Sequence, residues 1–252
     1  MPKWILAIVA CVTAIVIGAV AVLVQRGGGP GGPSRQDQRV DSQSGPKATI
    51  YAESNPANQA LVARDPMTGK KILQPRAGLE GYAVPEFRLV NQDGEPVDES
   101  VFEGKITILS FNFTNCVTAC PPMTANMLQV YGELEGTPVQ FCSISVDPEH
   151  DTPERLTEYA AKFGIDTDRW MFLTGAEGEA ARIVNESLKF DISEDPDDAQ
   201  VIPLADGTTM RNIRHPIKLF LIGPDRQILD FCSHQVVADR ERFGAIARAA
   251  AE

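Results

Sequence analysis

Two cysteines four residues apart, Cys116 and Cys120, stand in the run Phe111-Asn112-Phe113-Thr114-Asn115-Cys116-Val117-Thr118-Ala119-Cys120-Pro121-Pro122. The run follows an apolar stretch that reads as a parallel strand and opens a helix, which is the strand end where α/β folds place ligands. Spacing of four puts both sulfurs on one side of a helical turn, within reach of a disulfide or of shared metal ligation. A helix N-terminus favours thiolate over thiol, helping nucleophilic attack and metal binding alike. The plainer alternative is a structural disulfide closing a small loop. Two soft thiolates with few other donors select copper(I) or zinc over hard cations.

A third ligand would come from elsewhere, and histidine is the expected type; the chain has three. His150 lies in the polar turn 147–153 and reads as a solvated loop residue. His234 follows Cys232 at C-x-H spacing, which suits a metal site, but it reads first as a surface-loop residue. His215 precedes Pro216 at the entrance of an apolar strand, an end that a thioredoxin-like sheet brings toward the cysteine loop. Metal ligation and a hydrogen-bonded structural role both fit His215. Met123 and Met127, four apart on the site helix, read as core rather than as thioether ligands. Cys142 alternates with Ile144 and Val146 along a strand and reads as a buried, inert thiol; Cys232 reads the same way.

The elements that must position these residues follow from periodicity. Residues 86–90, the turn 91–94 and a second short strand form a hairpin. Residues 106–113 are a β-branched and aromatic run, and 139–146 a second apolar strand. The helix between them, 121–135, begins with prolines that a first turn tolerates. Strand, helix and strand joined so closely imply a βαβ unit with parallel strands. A helix opening at Thr152-Pro153, a short strand at 170–173 and a helix at 177–188 come next. An acidic, turn-rich excursion fills 191–212, and strands 217–222 and 227–231 precede a last helix from about 236. Hairpin, βαβ, helix, hairpin, helix is the order of a thioredoxin-like α/β domain, placed at 82–252.

Ahead of that domain, Trp4 to Gln25 are 22 uncharged, mostly aliphatic residues. They would span roughly 30 Å as a helix, the thickness of a bilayer core. The expectation is an uncleaved transmembrane anchor over 1–26, with a cleaved signal peptide as its rival. Residues 27–46, with nine Gly or Pro, read as a flexible tether, and the stretch to 81 as loop. The whole chain has 252 residues and a net charge of −11, too apolar for disorder and too acidic for nucleic acid as a main partner. Residues 147–198 hold 15 acidic and 5 basic side chains. They form a solvated acidic face, or one that steers a basic partner.

The domain resembles the Sco/SenC family, membrane-anchored copper chaperones of cytochrome c oxidase assembly. The likeness runs over 82–252. It passes through Phe87-Arg88-Leu89-Val90-Asn91-Gln92-Asp93-Gly94, the Phe111–Cys116 run with Cys120-Pro121, Ser145-Val146-Asp147-Pro148-Glu149-His150-Asp151-Thr152-Pro153-Glu154 and Trp170-Met171-Phe172-Leu173-Thr174-Gly175. It ends at His215, 95 residues after Cys120. The resemblance implies copper on Cys116, Cys120 and His215, as copper(I), with copper(II) wanting an additional weaker ligand. It also implies Asp147 as an acid near the site; a strand-end Asp capping its own turn is the alternative. Its implied setting is a single-pass bacterial inner-membrane protein facing the periplasm, ahead of the mitochondrial inner membrane. Copper would come from a donor protein and pass to the apo copper A subunit of the oxidase.

This chain departs from the family pattern at Val117, where Pro is usual, and at Arg214 and Pro216, where Asp and Ser usually flank the histidine. An Arg beside two thiolates and one copper(I) would offset part of their negative charge. The rival reading is an enzyme, a thiol-disulfide oxidoreductase whose Cys116 and Cys120 reduce client cysteines and close a disulfide. It would leave His215 idle.

Overall fold

The structure, a computed structural model, describes residues 61–195 and 201–252. The expected span 4–25 and most of the tether lie outside the described residues. Among those described, no helix is long and apolar enough to cross a membrane.

In chain order the strands begin with β1 (Leu61–Arg64), β2 (Lys71–Gln74), β3 (Arg88–Asn91), β4 (Pro96–Asp98) and β5 (Thr107–Asn112). Then come α1 (Cys120–Glu133), β6 (Gln140–Ser145), α2 (Pro153–Phe163), β7 (Trp170–Gly175) and α3 (Glu179–Leu188). Four short strands follow: β8 (Ser193–Glu194), β9 (Val201–Pro203), β10 (Thr209–Arg211) and β11 (Ile213–Arg214). The chain closes with β12 (Leu219–Ile222), β13 (Ile228–Cys232) and α4 (Val237–Ala251).

Seven strands form one sheet in the order β13-β12-β5-β6-β7-β3-β4. β5, β6 and β7 pair in parallel, and the flanking strands pair antiparallel. Every residue of β5 is buried, so both faces are covered, and its polar members Thr107 and Ser110 are hydrogen-bonded to side chains of β6, Gln140 and Ser143. Ile108, Phe141 and Phe172 point into the layer made by α1, α2 and α4. Leu109, Phe111 and Ile144 point to the other face, against α3 and the Phe87–Phe102 pair. The helices stop where local chemistry tells them to. Thr152 caps α2 by accepting from Arg155 N–H, and Gly164 ends it at φ 66°, a left-handed turn that disfavours side chains.

Two expectations change. The stretch 61–81, read as loop, carries the β1–β2 hairpin, whose Val62 and Leu73 pack on the core, and a buried Leu79. Its Pro breaks and Lys-rich turn masked a hairpin that is stabilised by tertiary contact: Lys71 Nζ donates to the Ala250 carbonyl at 2.7 Å. The acidic excursion is also partly ordered, because β8 pairs with β11 and β9 with β10.

Inside the sheet a small polar relay survives burial because it is satisfied. Trp170 Nε1–H donates to Ser143 Oγ at 2.9 Å, and Ser143 Oγ lies 2.8 Å from Ser110 Oγ. Ser143→Ala leaves the indole N–H unpaired in a dry core, a loss of about 1–3 kcal/mol. Urea unfolding should show it as a lower midpoint at unchanged slope; an unchanged midpoint would mean the indole has another acceptor.

Candidate metal centre

β5 ends at Asn112 and delivers the loop 113–119, whose backbone is held by a buried acid. Asp151, fully buried, accepts from Thr114 N–H at 3.1 Å, from Thr114 Oγ1–H at 2.6 Å and from Ser145 Oγ–H at 2.5 Å. It therefore fastens the end of β5 to the end of β6 just before the first cysteine. Burial pushes its carboxyl up to about 6 against the hydroxyl and amide donors, which pull the other way.

Cys116 and Cys120 are both free thiols and both buried. Helix α1 begins at Cys120 with no side-chain cap on Ala119, and Pro121 and Pro122 carry no N–H. The first amide that needs an acceptor is that of Cys120, and it donates to Cys116 Sγ at 3.3 Å. The sulfur of Cys116 thus serves as the helix cap. The Cys120 thiol and this amide hold the Cys116 thiol far below the ordinary thiol range. The hydrogen bond to Cys116 and burial push Cys120 the opposite way. The pair therefore favours ionisation at Cys116 over Cys120.

His215 arrives from the segment between β11 and β12. Its Nδ1–H donates to the Pro216 carbonyl at 3.2 Å, so the Nε2 lone pair faces Cys120 Sγ at 3.5 Å. The Phe113 ring meets the imidazole edge-on with centroids 5.8 Å apart. The structure therefore brings Cys116, Cys120 and His215 to one place. Two sulfurs and one imidazole nitrogen with a fixed tautomer are the donors a soft, low-coordinate ion takes. Among the described residues no three His, Cys, Asp or Glu side chains already stand in metal-holding geometry. A metal bound here would have to displace any proton on the two sulfurs.

The other candidates go elsewhere. Asp147 is buried but gives its carboxylate to His150 Nδ1 at 2.9 Å. It organises its own turn, and its carbonyl accepts from Asp151 N–H at 2.9 Å. The acid tied to the thiol loop is Asp151, which sequence reasoning missed. The sequence offered it only as a second Asp four residues after Asp147 in the same turn. His150 is held by Asp147 rather than freely solvated, and that contact raises its pKa. His234 is no surface-loop residue: it is buried, its Nδ1 bonds Asn126 Nδ2 at 3.1 Å, and burial lowers its pKa to about 4. Met123, Met127, Cys142 and Cys232 are core residues. Val117 is exposed, and Arg214 lies at the rim of a cleft of about 430 Å³ that opens onto Cys116 and His215.

A buried dithiol and imidazole at the carboxyl end of the central strand of a mixed sheet define a thioredoxin-like domain adapted to hold a soft ligand. Residues 77–251 match the SCO1/SenC family, and the chain belongs to it. It is 36% identical over 164 residues to the SCO1 protein homolog of Bacillus subtilis, covering 64% of this chain and 77% of that protein. It spans only about half of the mitochondrial relatives it matches, 44% of Sco1 homolog 1 of Arabidopsis thaliana and 55% of the Sco2 homolog of Bos taurus.

Among solved structures, it is similar to a SCO1/SenC family lipoprotein of Bacillus anthracis (29% identity, TM-score 0.57, 69% of this chain and 97% of that one). It is also similar to BsSco, a member of the Sco family of cytochrome c oxidase assembly proteins in which a disulfide switch is identified (31% identity, TM-score 0.55, 68% and 94%). The copper-bound ScoI of Bradyrhizobium japonicum shares the fold at 23% identity (TM-score 0.51, 67% and 99%).

Two outcomes are expected. Alkylation of Cys116 by iodoacetamide should be nearly flat between pH 6 and 8, since an already ionised thiol gains nothing there. Peptide mapping that shows a tenfold rise per pH unit would reverse the assignment of the thiolate. For Asp151, a folded value above its ordinary 3.8 means the native state takes the proton first. Its favourable contribution is full below pH 4 and is lost as pH rises through 6. The stability difference between wild type and Asp151→Asn should therefore change across pH 4 to 6 and be level above pH 7, as read by denaturant unfolding.

Proposed function

We propose that this chain is a membrane-tethered copper chaperone that carries one copper ion on Cys116, Cys120 and His215 and hands it to the copper A subunit of cytochrome c oxidase during assembly. The observation that carries the reading is the meeting of two free cysteines and one imidazole, with Cys120 Sγ 3.5 Å from His215 Nε2. Membership of the family supports it, as do an oxidase-assembly protein and a copper-bound protein among the structural relatives.

Copper here is cargo. Ionised Cys116 meets the ion first, and Cys120 follows by giving up its proton. His215 closes the set through a nitrogen that its bond to Pro216 has already aimed. Low coordination leaves room for an incoming thiolate or thioether before a resident ligand leaves, which is what transfer by ligand exchange needs. Copper arrives from a donor protein as copper(I); copper(II) would require a further weak ligand. Residues 4–25 anchor the chain in the bacterial inner membrane, and the domain works in the periplasm.

A second reading is favoured by the split between the two thiols. The Cys116 thiolate attacks a client disulfide, and Cys120 then resolves the mixed disulfide, leaving the Cys116–Cys120 disulfide and a reduced client. The disulfide switch in a relative supports it.

Anaerobic copper(I) titration of the full chain in detergent against a competing chelator separates the two. His215→Ala should weaken binding by about 10–100-fold or more, and Cys116→Ser likewise. Undiminished copper affinity in His215→Ala, with fast turnover of an oxidised client peptide, would put the reductase first.

A further inference from the structure

The register of the sheet puts more than the three donors at one end. Leu219 pairs with Cys232 and Phe220 with Leu109, so β5 ends, β12 begins and β13 ends at the same edge. The residues just before β12 therefore lie beside the thiol loop, and Ile217 lines the cleft with Cys116 and His215. Two large apolar side chains are exposed here: Ile217 (42%) and, next to Cys116 in the loop, Val117 (69%). Scattered exposed aliphatics mean little, but concentration at the mouth of a reactive site marks a surface that is covered during function.

The charge at this mouth is opposite to that of the chain. The cleft beside Cys116 and His215 is lined by Arg214 and Lys218, with Asp195 as its acid. Arg214 is exposed, and among the described residues neither Arg214 nor Lys218 has an ion-pair partner. Lys218 Nζ lies 5.8 Å over the Phe231 ring, a cation–π contact that holds the ammonium at the cleft. Acids crowd the other flank instead, where Asp147, Glu149 and Glu177 line a separate cleft at the ends of β6 and β7. In a chain of net charge −11, the imidazole side of the site is a local cationic, apolar rim.

We propose that this rim docks an acidic, apolar segment of the partner protein: an extended stretch with carboxylates among aliphatic side chains, its carboxylates on Arg214 and Lys218 and its aliphatics on Val117 and Ile217. The proposal deepens the chaperone reading by naming the chemistry of the partner at that same site. It rests on that reading for the partner's role, while the recognition itself needs no copper. It also sets the sign of the contact. A basic client drawn by the overall charge would be turned away from the imidazole side and held at the Glu149 flank.

The test uses the reduced full chain in detergent and three short synthetic peptides that differ only in charge. Each carries one Cys as a mixed disulfide with thiopyridine between leucines, and four further positions are all Glu, all Gln or all Lys. In each reaction Cys116 thiolate attacks the peptide sulfur, the Cys116–peptide disulfide forms, and pyridine-2-thiolate leaves and is read by absorbance. The Glu peptide should react about fivefold or more faster than the Lys peptide at low salt, since one exposed ion pair is worth up to about 1 kcal/mol. The preference should fade at high salt. Arg214→Gln with Lys218→Gln should bring the Glu and Lys rates together once each is divided by the Gln-peptide rate of the same variant, which absorbs any change in the thiolate itself. If the double variant does not fold, the single variants give the same ratio.

A Lys peptide as fast as the Glu peptide, or a Glu preference that survives both substitutions, would overturn the proposal. Because copper is absent from every arm, a failed copper titration leaves this result intact, and a failed charge preference leaves copper binding intact.

Discussion

The arrangement at the thiol end depends on one buried carboxylate. Strands β5 and β6 run parallel and must part where the loop to α1 begins, and parallel strands have no tight turn to hold their ends together. Asp151 supplies that tie by receiving donors from Thr114 and Ser145. Two residues beyond Thr114, Cys116 is set where its sulfur meets the Cys120 amide. A polar tie of this kind is worth its desolvation only because each of its oxygens is bonded. An apolar residue there would leave the start of the loop without its side-chain tie to β6.

From that fixed start, charge is divided between the donors. Cys116 is stabilised as an anion by an amide and a thiol, Cys120 is buried and ionises less readily, and His215 presents a lone pair. A soft cation and a disulfide bond are alternative ways of satisfying the same two sulfurs, so metal loading and redox state are linked properties of one site. The acidic surface of the chain plays no part in this division. The charges that matter are within a few ångströms and of mixed sign.

Much of this was legible in the residues. The β5 run announced itself by its β-branched and aromatic residues, and Pro121-Pro122 after Cys120 marked a helix start. The family likeness then picked His215 from three histidines. What stayed hidden depends on tertiary partners. The β1–β2 hairpin is held by α4, far along the chain, and its own four-residue strands are too short to show a period. His234 looked like a loop residue because its neighbours Ser233 and Gln235 are polar, yet α1 and α4 close over it through Asn126 and Arg240. Asp147 and Asp151 lie four apart in one turn, and no local pattern says which of the two turns toward the loop.

The two prolines that follow Cys120 have a chemical consequence beyond starting a helix. A helix N-terminus ordinarily presents a cluster of amides that attracts phosphate, sulfate or chloride. Here the first three helical positions offer only the Cys120 amide, and that amide is already given to sulfur. Inorganic oxyanions therefore find few free amides at the start of α1, and the dipole of α1 acts on the Cys116 sulfur instead. Selectivity at this end of the protein is achieved partly by donors that are missing.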